Sequence, residues 1–406
     1  MIPILFDHYE TDFTTNGVGR LDECVSCTVT EVVNGEYELE FEYPTSGKLF
    51  QRMVNYGGIV CATHDHNGDI QPFDIYAYEA PINGVVTFYA HHISYRLSNL
   101  IVVGTGTPPV ALGGAEPSQI FDQIPVRAAT ENQFTFKDFS GYTPQTGRNF
   151  AVAGAVSVRD AFFNTNRQDA RIGTHCLLDV FPGEFVFDGF NVFFYQRRGS
   201  NKGVQIRYGK NMTEVTRERN YGDIISSVFP IWCGNTDDAP TGTVVVGNQV
   251  FSPNSEINYA EWNSPTETML TPDGEVYYFG AGDTRAAVVD FSRQFQSEPT
   301  TAQLEQAALE WMASKSSWKA IDNITVELAD LYNTPEFAEY AELAMCQLGD
   351  YVDIYYPALG IVSEGIEIVS LVYDTLNDKV TEMQLGEIKT TYAQVLEKAM
   401  QGGNNA

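Results

Sequence analysis

From Glu36 to Tyr43 the chain reads Glu-Tyr-Glu-Leu-Glu-Phe-Glu-Tyr, an acid at every even position and a large apolar or aromatic residue at every odd one. A period of two puts Tyr37, Leu39, Phe41 and Tyr43 on one face of a strand and the carboxylates of Glu36, Glu38, Glu40 and Glu42 on the other. Asn34-Gly35 just before it is a strong hairpin signal. The preceding run from Cys27 to Val33 also alternates, with Cys27, Val29, Glu31 and Val33 on one side. Pro44 has no ladder donor and ends the strand. The pattern predicts a twisted hairpin that is apolar on one side and wet and strongly acidic on the other. Such a hairpin suits a wall between a core and an acidic exterior or channel better than it suits a small catalytic domain.

The same kind of pattern organises the rest of the chain. Residues 1 to about 100 read as short strands, with turn signals at Asn16-Gly17, Asn34-Gly35, Gly57-Gly58, Asn67-Gly68 and Asn83-Gly84. This spacing predicts a compact antiparallel barrel or sandwich. From Gly104 the composition changes: a Gly- and Pro-rich loop leads into a helix over Pro117 to Gln123. A second helix starts near Ser157, where Ser157 and Asp160 resemble a capping box with the shorter acid. Phe185 to Tyr195 is strand-rich around Asp188-Gly189, so 101–206 reads as an α+β module. A second β region begins over Ile224 to Trp232 and continues with Val244 to Phe251, Val276 to Phe279 and Ala286 to Phe291. Thr300 to Ser314 is a helix with Leu304, Ala307, Ala308, Trp311 and Met312 as its apolar stripe. Strands follow over Asn323 to Leu328, Tyr351 to Tyr355, Ile366 to Tyr373 and Lys379 to Leu385, and a helical tail over 389–406.

At 406 residues the chain is long enough for about two to four domains. Hydrophobic content of 43% with 19% charged residues describes a folded protein, and 25 Phe with 22 Tyr suit strands. The formal net charge of -29 opposes gripping of nucleic acid, which needs clustered Lys and Arg to displace counterions. It equally opposes an anionic membrane surface. It permits DNA to pass nearby without being held. The six cysteines lie at 24, 27, 61, 176, 233 and 346. With no secretory signal at Met1 to Phe6 and no apolar run of transmembrane length, they read as free thiols of a protein made in a reducing cytoplasm.

Candidate chemistry is sparse. His64-Asp65-His66 could offer two imidazoles to a metal, but the following Asn67-Gly68-Asp69 makes a polar hairpin tip the simpler reading. His91-His92 are adjacent and point to opposite faces of a strand. Cys24-Val-Ser-Cys27 imitates a redox pair in a β context. It does not precede a helix, no second pair completes a zinc site, and it reads as buried thiols. No His-Glu-x-x-His or Gly-x-Ser-x-Gly motif occurs. Gly199-Ser-Asn-Lys-Gly203 lacks the phosphate-loop pattern and reads as a tight turn. With 53 Asp and Glu, neighbouring carboxylates are expected by chance and identify no glycosidase. No catalytic, cofactor-binding or metal residue is assigned, and no cofactor is expected. Glu36, Glu38, Glu40 and Glu42 are retained as candidate channel-lining acids.

The chain resembles the tail-tip (baseplate) hub proteins of bacteriophages and prophages, the family often labelled phage minor structural protein or prophage tail endopeptidase. The likeness is carried, in the family's order, by Ile4-Leu5-Phe6-Asp7, Cys27-Thr-Val-Thr-Glu31, Asn34 to Pro44, Gln71-Pro-Phe-Asp-Ile-Tyr76 and Ala90-His-His-Ile-Ser-Tyr95. It continues with Arg198-Gly199, Gly203 to Asn211, Leu348-Gly-Asp-Tyr-Val352 and Val380 to Gly386. The resemblance implies a mainly β fold with α+β insertions: two tube-like β-barrel domains, an inserted α+β domain and a small helix-containing domain. The first barrel would be 1–100, with part of 207–235 available to complete it, and 101–206 the inserted domain. The second barrel would be 221–295 with 346–388, the helix-containing insert 296–345, and 389–406 the helical tail.

What the resemblance implies for function is a structural protein and not an enzyme. It would be a virion tail component made in the host cytoplasm: a homotrimer whose ring joins the tail tube to tip, fibre or lysin proteins and guides or closes the DNA channel. Specific nucleic-acid binding and membrane anchoring are not expected. The alternatives are a tail-associated endopeptidase or lysin acting on the cell wall, and a host-surface binding module. In relatives, wall-degrading activity belongs to additional C-terminal domains, and 389–406 offers nothing of that kind, so the enzyme label is not carried over.

Overall fold

The computed structural model describes residues 1–386 except 67, 81–83, 108, 145–148, 164–175, 209, 221–226, 235–242, 252–268, 271–275, 278–285, 292–294, 296–297, 316–320, 329–345 and 360. The expected tail over 389–406 lies outside the described residues.

The first 92 residues supply β1 (Ile4–Phe6), β2 (Gly19–Arg20), β3 (Ser26–Val32), β4 (Tyr37–Pro44), α1 (Phe50–Tyr56), β5 (Ile59–Thr63), β6 (Ile70–Glu79) and β7 (Val85–His92). The strands pair antiparallel in the order β3-β4-β7-β6-β5-β1-β2. The predicted hairpin is present: Cys27 faces Phe41, Val29 faces Leu39 and Glu31 faces Tyr37 across β3 and β4. Tyr37, Leu39, Phe41 and Tyr43 are all buried, and the acids between them are not. Burying that face orders the register, because a slip of one residue would drive four carboxylates into the core. Asn34 takes a positive φ of 53°, the left-handed conformation that its short polar side chain tolerates at a turn.

Residues 101–195 supply β8 (Ile101–Val103), β9 (Val110–Gly114), α2 (Pro117–Phe121), α3 (Ile124–Arg127), β10 (Thr135–Asp138), β11 (Phe150–Ala153), β12 (Ala155–Ser157), α4 (Val158–Phe163), α5 (Leu177–Val180), β13 (Glu184–Asp188) and β14 (Asn191–Tyr195). They share a core in which Phe121, Phe150, Phe162, Phe181, Phe185 and Phe194 are buried together. Stacked and edge-on rings, such as Phe162 on Phe185 at 4.8 Å, add to the burial of large apolar area. Half of the capping box expected at α4 is present: the Asp160 N–H donates to Ser157 Oγ at 3.1 Å, while the Asp160 carboxylate accepts from the Ser157 hydroxyl at 2.7 Å.

Beyond the insert come β15 (Asn201–Arg207) and β16 (Met212–Asn220), then β17 (Ser227–Gly234), β18 (Thr243–Val246), β19 (Val250–Phe251), β20 (Met269–Leu270), β21 (Val276–Tyr277), β22 (Ala286–Asp290) and α6 (Thr301–Lys315). Asn201 to Gly203, read as part of a tight turn, is strand instead, with Gly203 at a φ of +66°. Residues 218–322 form a unit of their own. In it, β17 pairs with β18, β19 and β22, and the predicted stripe of α6 packs on this sheet through Leu304, Ala307, Ala308 and Met312 against Val228, Trp232 and Phe291.

The chain closes with β23 (Ile321–Leu328), β24 (Tyr351–Tyr356), β25 (Ile361–Asp374) and β26 (Lys379–Gly386). Residues from 323 onward belong to the same unit as 1–217. The early half of β25 pairs with β24, and Ser370 to Asp374 pair with β3. One strand thus joins both ends of the chain into a single thirteen-stranded sheet. The fold is mainly β, and no closed barrel is found among the described residues. β25 is fourteen residues long, and its two halves pair with β24 and with β3.

Candidate functional site

Two places in the larger unit concentrate ionisable groups: the outer face of β4 and a junction where β3, the end of β14 and the segment before β24 meet.

On the outer face, strand pairing brings Glu38 opposite Thr30 and His91, Glu40 opposite Thr28 and Tyr89, and Glu42 opposite Ser26 and Thr87. Paired residues share a face, so Glu38, Glu40 and Glu42 lie together on one side, and Glu36, just before the strand, is near enough for its charge to act on Glu38. They are not equivalent. Glu40 is exposed, whereas Glu36, Glu38 and Glu42 are half-buried. Burial raises the Glu38 carboxyl, and the neighbouring charge of Glu36 raises it further. Burial alone raises Glu36. An aromatic column covers one end of this face: Tyr76 stacks on His91 at 4.8 Å, His91 on Tyr95 at 4.6 Å, and the Arg159 guanidinium sits 3.9 Å over Tyr95. The Tyr76 hydroxyl donates to Glu38 Oε2 at 3.3 Å. His91 is pushed down, first by burial, with Arg159 and Arg96 adding to it, so the column holds a neutral imidazole between two phenols.

His92 points the other way, into the core. It stacks on Tyr37 at 4.3 Å, accepts from the Ser94 N–H at Nδ1 (3.2 Å), and places Nε2 3.1 Å from Gln71 Oε1. The accepting Nδ1 makes Nε2 the donor. Burial holds this imidazole near 3, and it stays neutral. Gln71 continues the chain of contacts: its Nε2 donates to Asp188 Oδ1 at 3.1 Å, and its Oε1 accepts from the Gly189 N–H at 2.9 Å. Gln71 thereby ties the β13–β14 turn to β6.

The junction begins at Glu31, the acid within the apolar stripe of β3. Arg198 Nη1 donates to Glu31 Oε1 at 2.9 Å, and His64 Nδ1 lies 3.3 Å from Glu31 Oε2. The side chains of Glu31 and Arg198 are each only 12% exposed. Burial opposes ionisation of Glu31, but the charge of Arg198 and the bond from His64 outweigh it and hold the carboxyl at about 2. His64 moves the opposite way: burial pushes it down, and the Glu31 bond and charge more than offset that.

Next to this pair, two glycines let backbones touch. A Cβ on Gly199 would lie 1.9 Å from the Gly349 carbonyl oxygen. Gly349 itself has a φ of +86°, and a Cβ there would meet Arg198 Cγ at 2.4 Å. Asp350 locks the crossing: Oδ1 accepts from the Ser200 N–H and Oδ2 from the Gln347 N–H, both at 2.9 Å. The Tyr351 N–H donates to the Ser200 oxygen at 3.0 Å. Glu184 accepts from the Arg198 N–H at 2.9 Å. Asn34, at the tip of the β3–β4 hairpin, donates to the Gly183 oxygen at 2.8 Å and accepts from the Phe185 N–H at 2.9 Å. Glu31, His64, Gln71, Asp188, Arg198 and Asp350 line a cavity of about 350 Å³ at this point.

The arrangement fixes geometry more than it offers chemistry. Glu31 is already engaged by the Arg198 guanidinium and the His64 imidazole and is a weak proton acceptor at neutral pH. His64 and His66 do not converge: Glu31 partners the first, and Asp378 lies 3.7 Å from the second. Among the described residues no three His, Cys, Asp or Glu side chains are grouped to hold a metal ion. Reading the sequence singled out Arg198-Gly199, Cys27 to Glu31 and Leu348 to Val352 separately. The structure brings them into one contact, and the interruption of an apolar stripe by Glu31 was the available signal for it.

No family model matches the chain, and no curated protein matches it. Solved structures do. A prophage tail protein, gp18 of Listeria monocytogenes, matches over 99% of both chains at 14% identity with a TM-score of 0.55. The fold is that of prophage tail proteins. The 43 kDa tail protein of prophage MuSo2 from Shewanella oneidensis aligns over 96% of this chain and 98% of its own, at 9% identity and a TM-score of 0.51. A tail protein of Neisseria meningitidis aligns over 95% and 96%, at 10% identity and 0.50. At such identities it is the course of the backbone that is shared.

Proposed function

We propose that the chain is a structural hub protein at the distal end of a phage or prophage tail. In this reading three copies form a ring that joins the tail tube to tip, fibre or lysin proteins and guides or closes the DNA channel. The observation that carries it is end-to-end coverage: the prophage tail protein of Listeria spans 99% of this chain and is itself spanned over 99%. In this reading the thirteen-stranded sheet, which takes its strands from 1–92, 201–220, 321–328 and 351–386, supplies the tube-like wall. Among the described residues the sheet ends at β2, β15 and β16, edges that need cover, and rotational closure supplies it. With -29 per chain, association of isolated chains is opposed at low ionic strength.

Native mass spectrometry over rising protein and salt concentration tests this. A threefold species favoured by salt is expected, and a stable twofold dimer with a large apolar interface contradicts it. Incubation with peptidoglycan separates the lysin reading: the hub account expects no cleavage. Glu36, Glu38, Glu40 and Glu42 face the channel in this proposal, where fixed negative charge keeps DNA from sticking. Replacing all four with Lys in an assembling particle should slow DNA ejection and make it salt-dependent. Ejection at the usual rate would place the acids on the outside.

A further inference from the structure

Two strongly exposed tyrosines open onto one groove. Tyr9, in the turn after β1, is 89% exposed, and Tyr56, at the end of α1, is 71% exposed. With Asp7, Glu10, Arg52 and Asn55 they line a groove of about 700 Å³, a size usual for ligand clefts. Each ring is held by its neighbours. The Glu10 N–H donates to the Asp7 oxygen at 3.0 Å and closes the turn that carries Tyr9. Arg96 Nη2 donates to the His8 oxygen at 2.9 Å, and the His8 ring meets the Tyr9 ring edge-on at 5.1 Å. The Arg52 guanidinium sits 5.0 Å over the Tyr56 ring and is bonded to the Asp7 carboxylate. Two rings are thus open to water and already positioned, which lowers the ordering cost of a ligand that packs on them. The polar groups of the groove are incompletely used. Glu10 Oε1 accepts from the Thr11 and Asp12 N–H groups at 2.9 and 3.0 Å, and Oε2 has no partner among the described residues. The exposed Asn55 carboxamide has none there either.

We propose that this groove is a binding site for a short neutral oligosaccharide. This rests on the groove itself and not on the proposed hub role. The apolar face of a pyranose ring stacks on a phenol ring. The hydroxyls around its rim exchange hydrogen bonds with a carboxylate, which only accepts, and with a carboxamide, which both donates and accepts. The groove supplies these groups and no aliphatic side chain for an apolar ligand. Asp7 and Glu10 repel an acidic sugar or a phosphate, and the Arg52 guanidinium is already matched by Asp7. A proline-rich segment could pack on the tyrosines, but proline has no N–H to offer Glu10. A neutral sugar satisfies both the rings and the open acceptors.

The test uses saturation-transfer NMR and titration calorimetry on the full chain. Cellotetraose, maltotetraose and chitotetraose are the probes, and tetragalacturonate and a polyproline peptide are the controls. At least one neutral probe should bind, with saturation transfer strongest at its ring C–H protons. Tyr9→Ala and Tyr56→Ala should each weaken that binding about tenfold. Tyr56→Phe should keep it, because stacking needs the ring and not the hydroxyl. Tyr78→Ala, which removes an exposed tyrosine from β6, should leave it unchanged. The inference is overturned if no neutral probe binds at millimolar concentration. It is also overturned if tetragalacturonate or polyproline binds more tightly, or if binding survives the loss of both groove tyrosines. Loss of self-association in the double variant, with no sugar bound by the wild type, would overturn it as well and assign the groove to a contact between copies.

Discussion

Glu31 and Glu38 are seven positions apart on paired strands, yet the fold treats their charges in opposite ways. Glu31 points inward and meets Arg198 and His64, and its carboxyl is held at about 2. Glu38 points outward among Glu36, Tyr76 and His91, and its carboxyl is raised by burial and by like charge. One acid is part of what fastens the molecule together. The other is a charge that the fold carries at a cost in stability. The lesson is that a large negative balance does not have one role: the acids that matter to the fold are those with a cation assigned to them.

The comparison predicts a graded series of effects. Gly199→Ala should be the most damaging, because the added methyl must displace the Gly349 backbone; a loss on the order of 4 kcal/mol is expected in denaturant unfolding. An unchanged midpoint would remove the junction from the account. Glu31→Ala comes next: it strands a buried guanidinium and should cost about 3 kcal/mol. The paired replacement Glu31→Leu with Arg198→Met should recover most of that, since apolar substitutes often match a buried ion pair. If the double variant is no better than the single, the pair is not what the junction depends on.

The two acids should also separate by pH. The ionised Glu31 contributes stability that is complete above its ordinary value of 4.5 and is lost as pH falls from there toward about 2; this difference corresponds to about 3 kcal/mol. His64, raised by Glu31, contributes below its ordinary value of 6.5 and loses that contribution as pH rises through its higher native value. His64→Gln should therefore flatten the neutral-to-alkaline limb by about 1 kcal/mol or less. Thermal unfolding from pH 3 to 9 reads both limbs.

Glu38→Gln is the smallest change. The raised carboxyl penalises the folded state only once pH exceeds 4.5, so the variant should gain about 0.5 kcal/mol or less at neutral pH and nothing in acid. A loss at neutral pH would mean that the Tyr76 bond outweighs the repulsion.

Much of this was legible in the chain beforehand because it is local. The alternation of Tyr37 to Tyr43, the turn at Asn34, the cap at Ser157 and the stripe of α6 are each set by residues within a few positions of one another. The junction is not of that kind. Glu31, Arg198 and Asp350 are separated by well over a hundred positions, and no period links them. Only the acid inside an apolar stripe hinted at a buried partner. The path of β25 was hidden for a similar reason: its residues read as a strand and its pairing with the preceding β24 is local, but its pairing with β3 depends on a strand at the other end of the chain.

The central claim, a hub built from this sheet, is tested most directly by electron cryomicroscopy of assembled tails carrying the chain. The account predicts three copies in a ring at the distal end, with the thirteen-stranded sheet forming the wall and the Glu38 and Glu40 side of β4 turned to the channel. Density for the chain outside the tail axis, or in a copy number that is not a multiple of three, would contradict it.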